Sequence, residues 1–213
     1  MPTHLLLVRH GENDFIHARR LAGRIPGVHL NEAGREQANR LARRLAGWPI
    51  AAVYSSPLER CHETAALLAA SFRLPVIAHE GLLESDYGEW QGRVVDELVE
   101  TELWKLVQAA PSLVRFPGGG TLREMQQRAI ETLHAIAAAH PDQIVLVCSH
   151  ADPIRAALTA FLGAPLDLFQ RLEIGPGSVS IVRFDPRAPR ILRINDTGDL
   201  APPSAPPAQA QSR

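Results

Sequence analysis

The chain has 213 residues, 46% of them hydrophobic and 21% charged, which describes one ordinary globular domain with a substantial core and excludes a disordered or fibrous polypeptide. Lys and Arg number 22 against 23 Asp and Glu, so no overall electrostatic pull toward nucleic acid or an anionic membrane is expected, and any anion site must be local. The two cysteines, Cys61 and Cys148, lack metal or redox spacing, no signal-like N-terminus or membrane-length apolar run is present, and a cytoplasmic location with buried free thiols is expected.

The first element is the apolar run Leu5-Leu6-Leu7-Val8, read as a buried strand whose C-terminal end carries Arg9-His10-Gly11-Glu12. An Arg- and Gly-bearing loop from His17 to Leu30 leads to Asn31, an N-cap for a helix with Ala38, Leu41, Ala42 and Leu45 at helical spacing. Ala51 to Ser55 reads as a second strand, and Leu58 to Phe72 as a helix opened by Ser56-Pro57, with the proline suited to the first helical position. A third short strand follows at Val76-Ile77.

From Glu84 to Gly120 the pattern is less regular. It holds an aromatic turn, Tyr87-Gly88-Glu89-Trp90, a helix around Asp96 to Ala109 and a Pro/Gly loop, and reads as an excursion over the sheet. Thr121-Leu122-Arg123-Glu124 matches a capping box and opens an alanine-rich helix to about Ala139. Ile144 to Cys148 is a continuous apolar run, the mark of a central strand, with Ser149-His150 at its end and Asp152-Pro153 read as cap and first position of the next helix. Final strands are expected at Ser178 to Phe184 and Arg190 to Ile194. Residues 1–198 are expected to form the domain, and residues 199–213 a Pro/Ala-rich disordered tail.

This alternation predicts a doubly wound α/β fold, a three-layer α/β/α sandwich around a mostly parallel sheet. His10 and His150 each follow a buried strand, so neighbouring strands would bring two imidazoles to one crevice at the carboxyl ends of the sheet. Arg60, about one turn into its helix, adds a guanidinium near a helix N-terminus. Arg9, His10, Arg60 and His150 together suit a dianionic phosphoryl group.

From about Thr3 to Phe184 the chain resembles the histidine phosphatase superfamily, on its phosphoglycerate mutase-like branch. The resemblance rests on Leu7-Val8-Arg9-His10-Gly11-Glu12, Leu30 to Gly34, Ser55 to Arg60 with Thr64-Ala65, Glu84 with Gly88 to Gly92, and Val147 to His150, in the family's order. It implies that His10 accepts the phosphoryl group, that Arg9, Arg60 and His150 hold its oxygens, and that Glu84 donates the proton, with no cofactor and no metal. Chemistry gives each role a reason. His10 needs one neutral, free ring nitrogen, so a carbonyl in the Gly11 turn should take the other's proton, and flanking arginines help keep the ring uncharged. Glu84 needs partial burial to hold its proton, and competes with Asp86 and Glu89 for the role.

Departures from the family pattern concern the substrate. The position six residues after His10, often Asn in the family, is Ile16, with His17 beside it, and Ala22-Gly23-Arg24 replaces a Ser or Thr before the loop glycine. His17, Gly23 and Arg24 are therefore candidate substrate-binding residues, Arg24 facing either a second anionic group or solvent. Tyr87 and Trp90 serve either as pocket wall or as core. Gly118 to Gly120 reads as a flexible loop rather than a phosphate cradle, and Asp152 as an N-cap. The span from Glu84 to His150 is shorter than in the glycolytic mutases, which favours water as acceptor. The expected activity is phosphomonoester hydrolysis of a small phosphorylated metabolite, with phosphoglycerate mutase-type transfer as the alternative and a silent phosphate-binding scaffold as the distant third. Neither nucleic acid nor membrane is an expected partner, and the chain is a monomer or homodimer.

Overall fold

The computed structural model describes residues 2–198; the tail expected at residues 199–213 lies outside the described residues. In chain order the elements are β1 (Thr3–Arg9), α1 (Asp14–His17), α2 (Glu32–Arg44), β2 (Ile50–Ser55), α3 (Glu59–Ala70), β3 (Val76–Ala78), α4 (Val95–Leu98), α5 (Glu102–Ala109), α6 (Leu122–Ala139), β4 (Ile144–Ser149), α7 (Ala151–Phe161), β5 (Val179–Phe184) and β6 (Pro189–Asp196), with short 3-10 turns between several of them.

The strands form one sheet in the order β3-β2-β4-β1-β5-β6. β1, β2, β3 and β4 run parallel to one another, whereas β5 is antiparallel to both β1 and β6, so the sheet is mixed with a parallel centre. β1 and β4 lie side by side at the centre, buried on both faces, as their unbroken apolar runs require.

The pleat divides those runs between two cores. Leu5, Leu7, Val145 and Val147 pack with Leu133 and Ile136 of α6 and Ile154 and Leu158 of α7. Leu6, Val8, Leu146 and Cys148 face the other way, onto Leu41 of α2 and Leu68 of α3. Each fully buried leucine there contributes roughly 1.5–3 kcal/mol. A third cluster, formed by Tyr87, Trp90, Leu98, Val107, Phe116 and Leu122 with Ala156 and Phe169, is the excursion's own core, docked at the sheet's carboxyl end.

Three local expectations are corrected. The helix around Asp96 to Ala109 is two helices, because Thr101 leaves the helical path and accepts the Trp104 N–H at 3.2 Å, capping α5. Pro57 does not open α3, whose N-cap is Leu58 and whose first residue is Glu59. Asp152 is not a cap: α7 starts one residue earlier, with extended His150 in the N-cap position, which puts Asp152 inside the first turn. The caps at Asn31 and the Thr121–Glu124 box form as the sequence predicts.

Candidate active site

The register of β1 against β4 pairs Arg9 with Ser149, so the next residue on each strand, His10 and His150, emerges at the same edge of the sheet. Their rings meet edge to face with centroids 5.2 Å apart. The His10 turn is fixed from several sides. Its N–H donates to the Ser149 carbonyl at 3.0 Å. The Gly11 N–H donates to Thr64 Oγ1 at 3.1 Å, and the Glu12 N–H to Gln37 Oε1 at 2.8 Å. Gly34 of α2 lies against the same turn so closely that a Cβ there would sit 2.1 Å from the Glu12 carbonyl oxygen. This contact explains the glycine that ends the Leu30 to Gly34 motif.

Hydrogen-bond partners assign the tautomers. His10 Nδ1 lies 2.8 Å from the Gly11 carbonyl oxygen, which only accepts, so Nδ1 carries the proton. Nε2 is then the lone-pair nitrogen, and Arg60 Nε donates to it at 3.3 Å. Arg60 Nη2 also donates to His150 Nδ1 at 3.2 Å, which puts the His150 proton on Nε2, 2.9 Å from Ser56 Oγ. The same Nη2 donates to the Gly23 carbonyl at 2.6 Å.

His10, Arg60 and His150 are 4%, 1% and 0% exposed, and that burial sets their charge states. Desolvation first, then the Arg60 charge, push both imidazoles well below their ordinary pKa, with Arg9 adding to the effect. Both rings are neutral. Arg60 Nη1 and Arg9 Nε are buried with no hydrogen-bond partner among the described residues, while Arg9 Nη1 donates to the Ile174 carbonyl at 2.6 Å. Two buried guanidinium N–H groups thus remain to be satisfied in a cationic pocket, an arrangement suited to the acceptors of an oxyanion.

The cleft has a volume of about 260 Å³, and Arg9, His10, Arg60 and Glu84 all line it. Glu84 is 8% exposed, and its Oε1 accepts the Ser85 N–H at 2.9 Å. Burial, then the Asp152 charge, raise its pKa to about 7 against the opposing pull of Ser85, Arg60 and Arg9. Asp86 and Glu89 do not line the cleft. Tyr87, Trp90, Trp104, Val107 and Phe116 form an apolar part of its wall, and Arg20, Arg155 and Gln170 are among the polar lining.

The substrate-loop candidates separate. Gly23 lines the cleft, with φ at +50°, and its carbonyl anchors Arg60. Ile16 lines it as well, an apolar contact beside His10. His17 sits exposed at the end of α1, outside the lining. Arg24 also lies outside it, with Nε donating to the Glu84 carbonyl at 3.0 Å. Gly119 packs on the backbone of Gly88 and Asp86, so the glycine run backs the aromatic turn.

Sequence reasoning missed three contributors. Ser56 accepts from His150, and Thr64 fixes the Gly11 turn. Asp152 accepts the Tyr87 O–H on Oδ2 at 2.7 Å and an Arg155 N–H on Oδ1 at 3.3 Å, beside Glu84 in the cleft. Its i, i+3 spacing from Arg155, directly after the His150 motif, was the available signal. Among the described residues, no group of three or more His, Cys, Asp or Glu side chains is placed to hold a metal ion, and no helix is long and apolar enough to cross a membrane.

The family model described as histidine phosphatase superfamily (branch 1) matches residues 5–197. Phosphoserine phosphatase 1 of Hydrogenobacter thermophilus is 34% identical over 198 residues, covering 92% of this chain and 93% of that protein. The 2,3-bisphosphoglycerate-dependent phosphoglycerate mutase of Thermoplasma acidophilum is 30% identical over 198 residues, covering 89% and 90%. Among solved structures, Bacillus stearothermophilus YhfR superposes with a TM-score of 0.86 at 30% identity, covering 91% of this chain and 97% of that one.

Proposed function

The chain belongs to the histidine phosphatase superfamily, and from that premise we propose that it hydrolyses a small phosphomonoester through a phosphoenzyme on His10. The observation that carries this reading is the His10 tautomer: Nδ1 is committed to the Gly11 carbonyl, and Nε2 is the neutral nucleophile among arginines. In the first step Nε2 attacks phosphorus and the ester P–O bond breaks. Glu84, still protonated near neutrality, gives its proton to the departing alkoxide.

Charge spreads over the three equatorial oxygens as the bonds change, and Arg9 and Arg60 supply fixed donors to them, while His150 steadies Arg60 and reaches an oxygen itself only if its Nε2–H leaves Ser56 Oγ. In the second step water attacks phosphorus, Glu84 takes its proton, the N–P bond breaks and inorganic phosphate leaves. His10 Nε2 regains its lone pair and Glu84 its proton, so the cycle closes.

A small metabolite is the substrate class supported by the cleft volume and by the phosphoserine phosphatase relative, which makes phosphoserine the first compound to try. Transfer between the carbons of phosphoglycerate is the second reading, supported by the mutase relative. Phosphate release from 4-nitrophenyl phosphate in EDTA tests the first. Release by wild type and none by His10→Ala supports it, whereas equal release by both overturns it. Appearance of 2-phosphoglycerate from 3-phosphoglycerate with a bisphosphoglycerate primer would decide for the mutase.

A further inference from the structure

Glu84 stands on irregular backbone, since residues 83–87 belong to neither a helix nor a strand. Side chains hold that stretch instead. The Leu82 carbonyl accepts from Ser149 Oγ at 2.8 Å and the Leu83 carbonyl from Arg128 Nη2 at 2.6 Å. The Glu84 carbonyl accepts from Arg24 Nε at 3.0 Å and from the same Arg128 Nη2 at 3.3 Å. Three successive carbonyls are thus held by donors from β4, α6 and the Gly23 loop.

The peptide between Glu84 and Ser85 joins these bonds to the carboxyl group. Its C=O takes the two guanidiniums, and its N–H donates to Glu84 Oε1 at 2.9 Å. A peptide unit is planar, so its carbonyl and N–H turn together, and a grip on the oxygen fixes the direction of the N–H. Cationic donors on that oxygen also polarise the unit and strengthen the bond its N–H makes. With Oε1 engaged as an acceptor, Oε2 is the oxygen left to carry the proton. The two guanidinium charges repel each other, and Asp86 Oδ2, 3.7 Å from Arg24 Nη1, offsets part of that repulsion.

Arg24 is itself seated by its neighbours. Its N–H donates to Gln91 Oε1 at 2.6 Å, and the carbonyl of Gly23 before it accepts from Arg60 Nη2 at 2.6 Å. One dipeptide therefore touches both the phosphoryl-binding fork and the peptide that seats the acid.

We infer that Arg128 and Arg24 are positioning residues for the proposed reaction, fixing through the Glu84–Ser85 peptide where the Glu84 carboxyl delivers its proton to the leaving group. The inference rests on Glu84 as the acid. Neither arginine is part of the cleft lining, so their effect reaches the substrate through Glu84.

The test compares kcat/KM on phenyl phosphate, whose leaving group needs a proton, with kcat/KM on 2,4-dinitrophenyl phosphate, whose leaving group departs as a stable anion. Arg128→Met should lower the first by about a hundredfold and leave the second close to wild type. Arg24→Met, at a half-buried loop position, should show the same selectivity with a smaller loss. Selective loss in either variant supports the inference, whereas equal loss on the two substrates, or none, in both variants overturns it. Glu84→Gln separates the two levels of the argument. It should be selective as well, and Arg128→Met made in that background should add no selective loss; a further selective loss there overturns the route through Glu84. If Glu84→Gln is selective while neither arginine variant is, the acid assignment stands and only this inference fails. If Glu84→Gln keeps wild-type activity on phenyl phosphate, the acid assignment fails and this inference with it.

Discussion

His10 Nδ1 lies 2.8 Å from the carbonyl oxygen of Gly11, its own neighbour in the chain. One main-chain oxygen thereby decides which ring nitrogen is free to react. The phosphoryl group should be found on Nε2. Acid-free quenching of wild type during turnover, followed by phosphorus NMR of the denatured protein, should show an Nε2-linked phosphoramidate. His10→Ala should show none and lose about a thousandfold or more in kcat. An Nδ1-linked product would contradict the assigned tautomer.

Arg60 bridges both imidazoles and the Gly23 carbonyl with one planar fork. Lysine keeps the charge but cannot reach three partners at once. Arg60→Lys should therefore lose about a hundredfold in kcat while the urea midpoint moves little. Arg60→Ala should also raise the acid-side limb of kcat/KM, because the Arg60 charge is the second cause holding the His10 ring neutral.

Gly34 meets the Glu12 backbone with no room for a methyl group. Gly34→Ala should destabilise the fold by about 1–3 kcal/mol and lower kcat with it, since the turn that must shift carries His10, the proposed nucleophile. Thr121→Ala is the contrasting change. It should cost about 1 kcal/mol through the lost capping box and leave kcat unaltered.

Stability should depend on pH through three buried groups. The imidazoles of His10 and His150 are pushed well below 6.5, so below that pH the unfolded chain binds two protons that the folded chain refuses. Glu84 acts in reverse. Its folded pKa of about 7 stands above the 4.5 of the unfolded chain, so the stability it contributes is full below pH 4.5 and is lost as pH rises toward 7. Between these limits the net difference is one proton, and unfolding free energy should fall by about 1.4 kcal/mol for each pH unit of acidification. Glu84→Gln should double that slope, measured by urea denaturation from pH 6.5 to 5. It should also cut turnover of phenyl phosphate by about 10²–10⁴-fold. An unchanged slope would show that Glu84 is ionised in the folded protein at neutral pH.

The central strands and the imidazoles at their ends were legible because buried parallel strands leave unbroken apolar runs, and the sheet alone fixes where those runs stop. Arg60 was legible for a similar reason, near the start of a helix that follows β2, although it is that helix's second residue and not a full turn in. What the sequence concealed was decided by distant partners. Asp152 has the composition of a helix cap beside Pro153, yet extended His150 takes that position, and the aspartate instead meets a tyrosine 65 residues away. Arg24 reads as facing a ligand or solvent, and it lies on the carbonyl of Glu84, 60 residues distant. The break at Thr101 carried a local signal, a threonine ahead of an acid, that the surrounding helical spacing obscured.

The third hydrophobic cluster divides the molecule's labour in a way that bears on how such an enzyme changes. Arg9 and His10 hang on main-chain bonds of the central sheet, whereas Trp90, Trp104, Val107 and Phe116, which line the same cleft, belong to or pack against a separate core. Substitutions in that outer core fall largely outside the contacts of Leu5 to Val8, so their energetic effects should add to, not couple with, those at the sheet. A lineage can therefore remodel the choice of alcohol by drift in one small core, while the machinery that breaks the P–O bond is inherited intact.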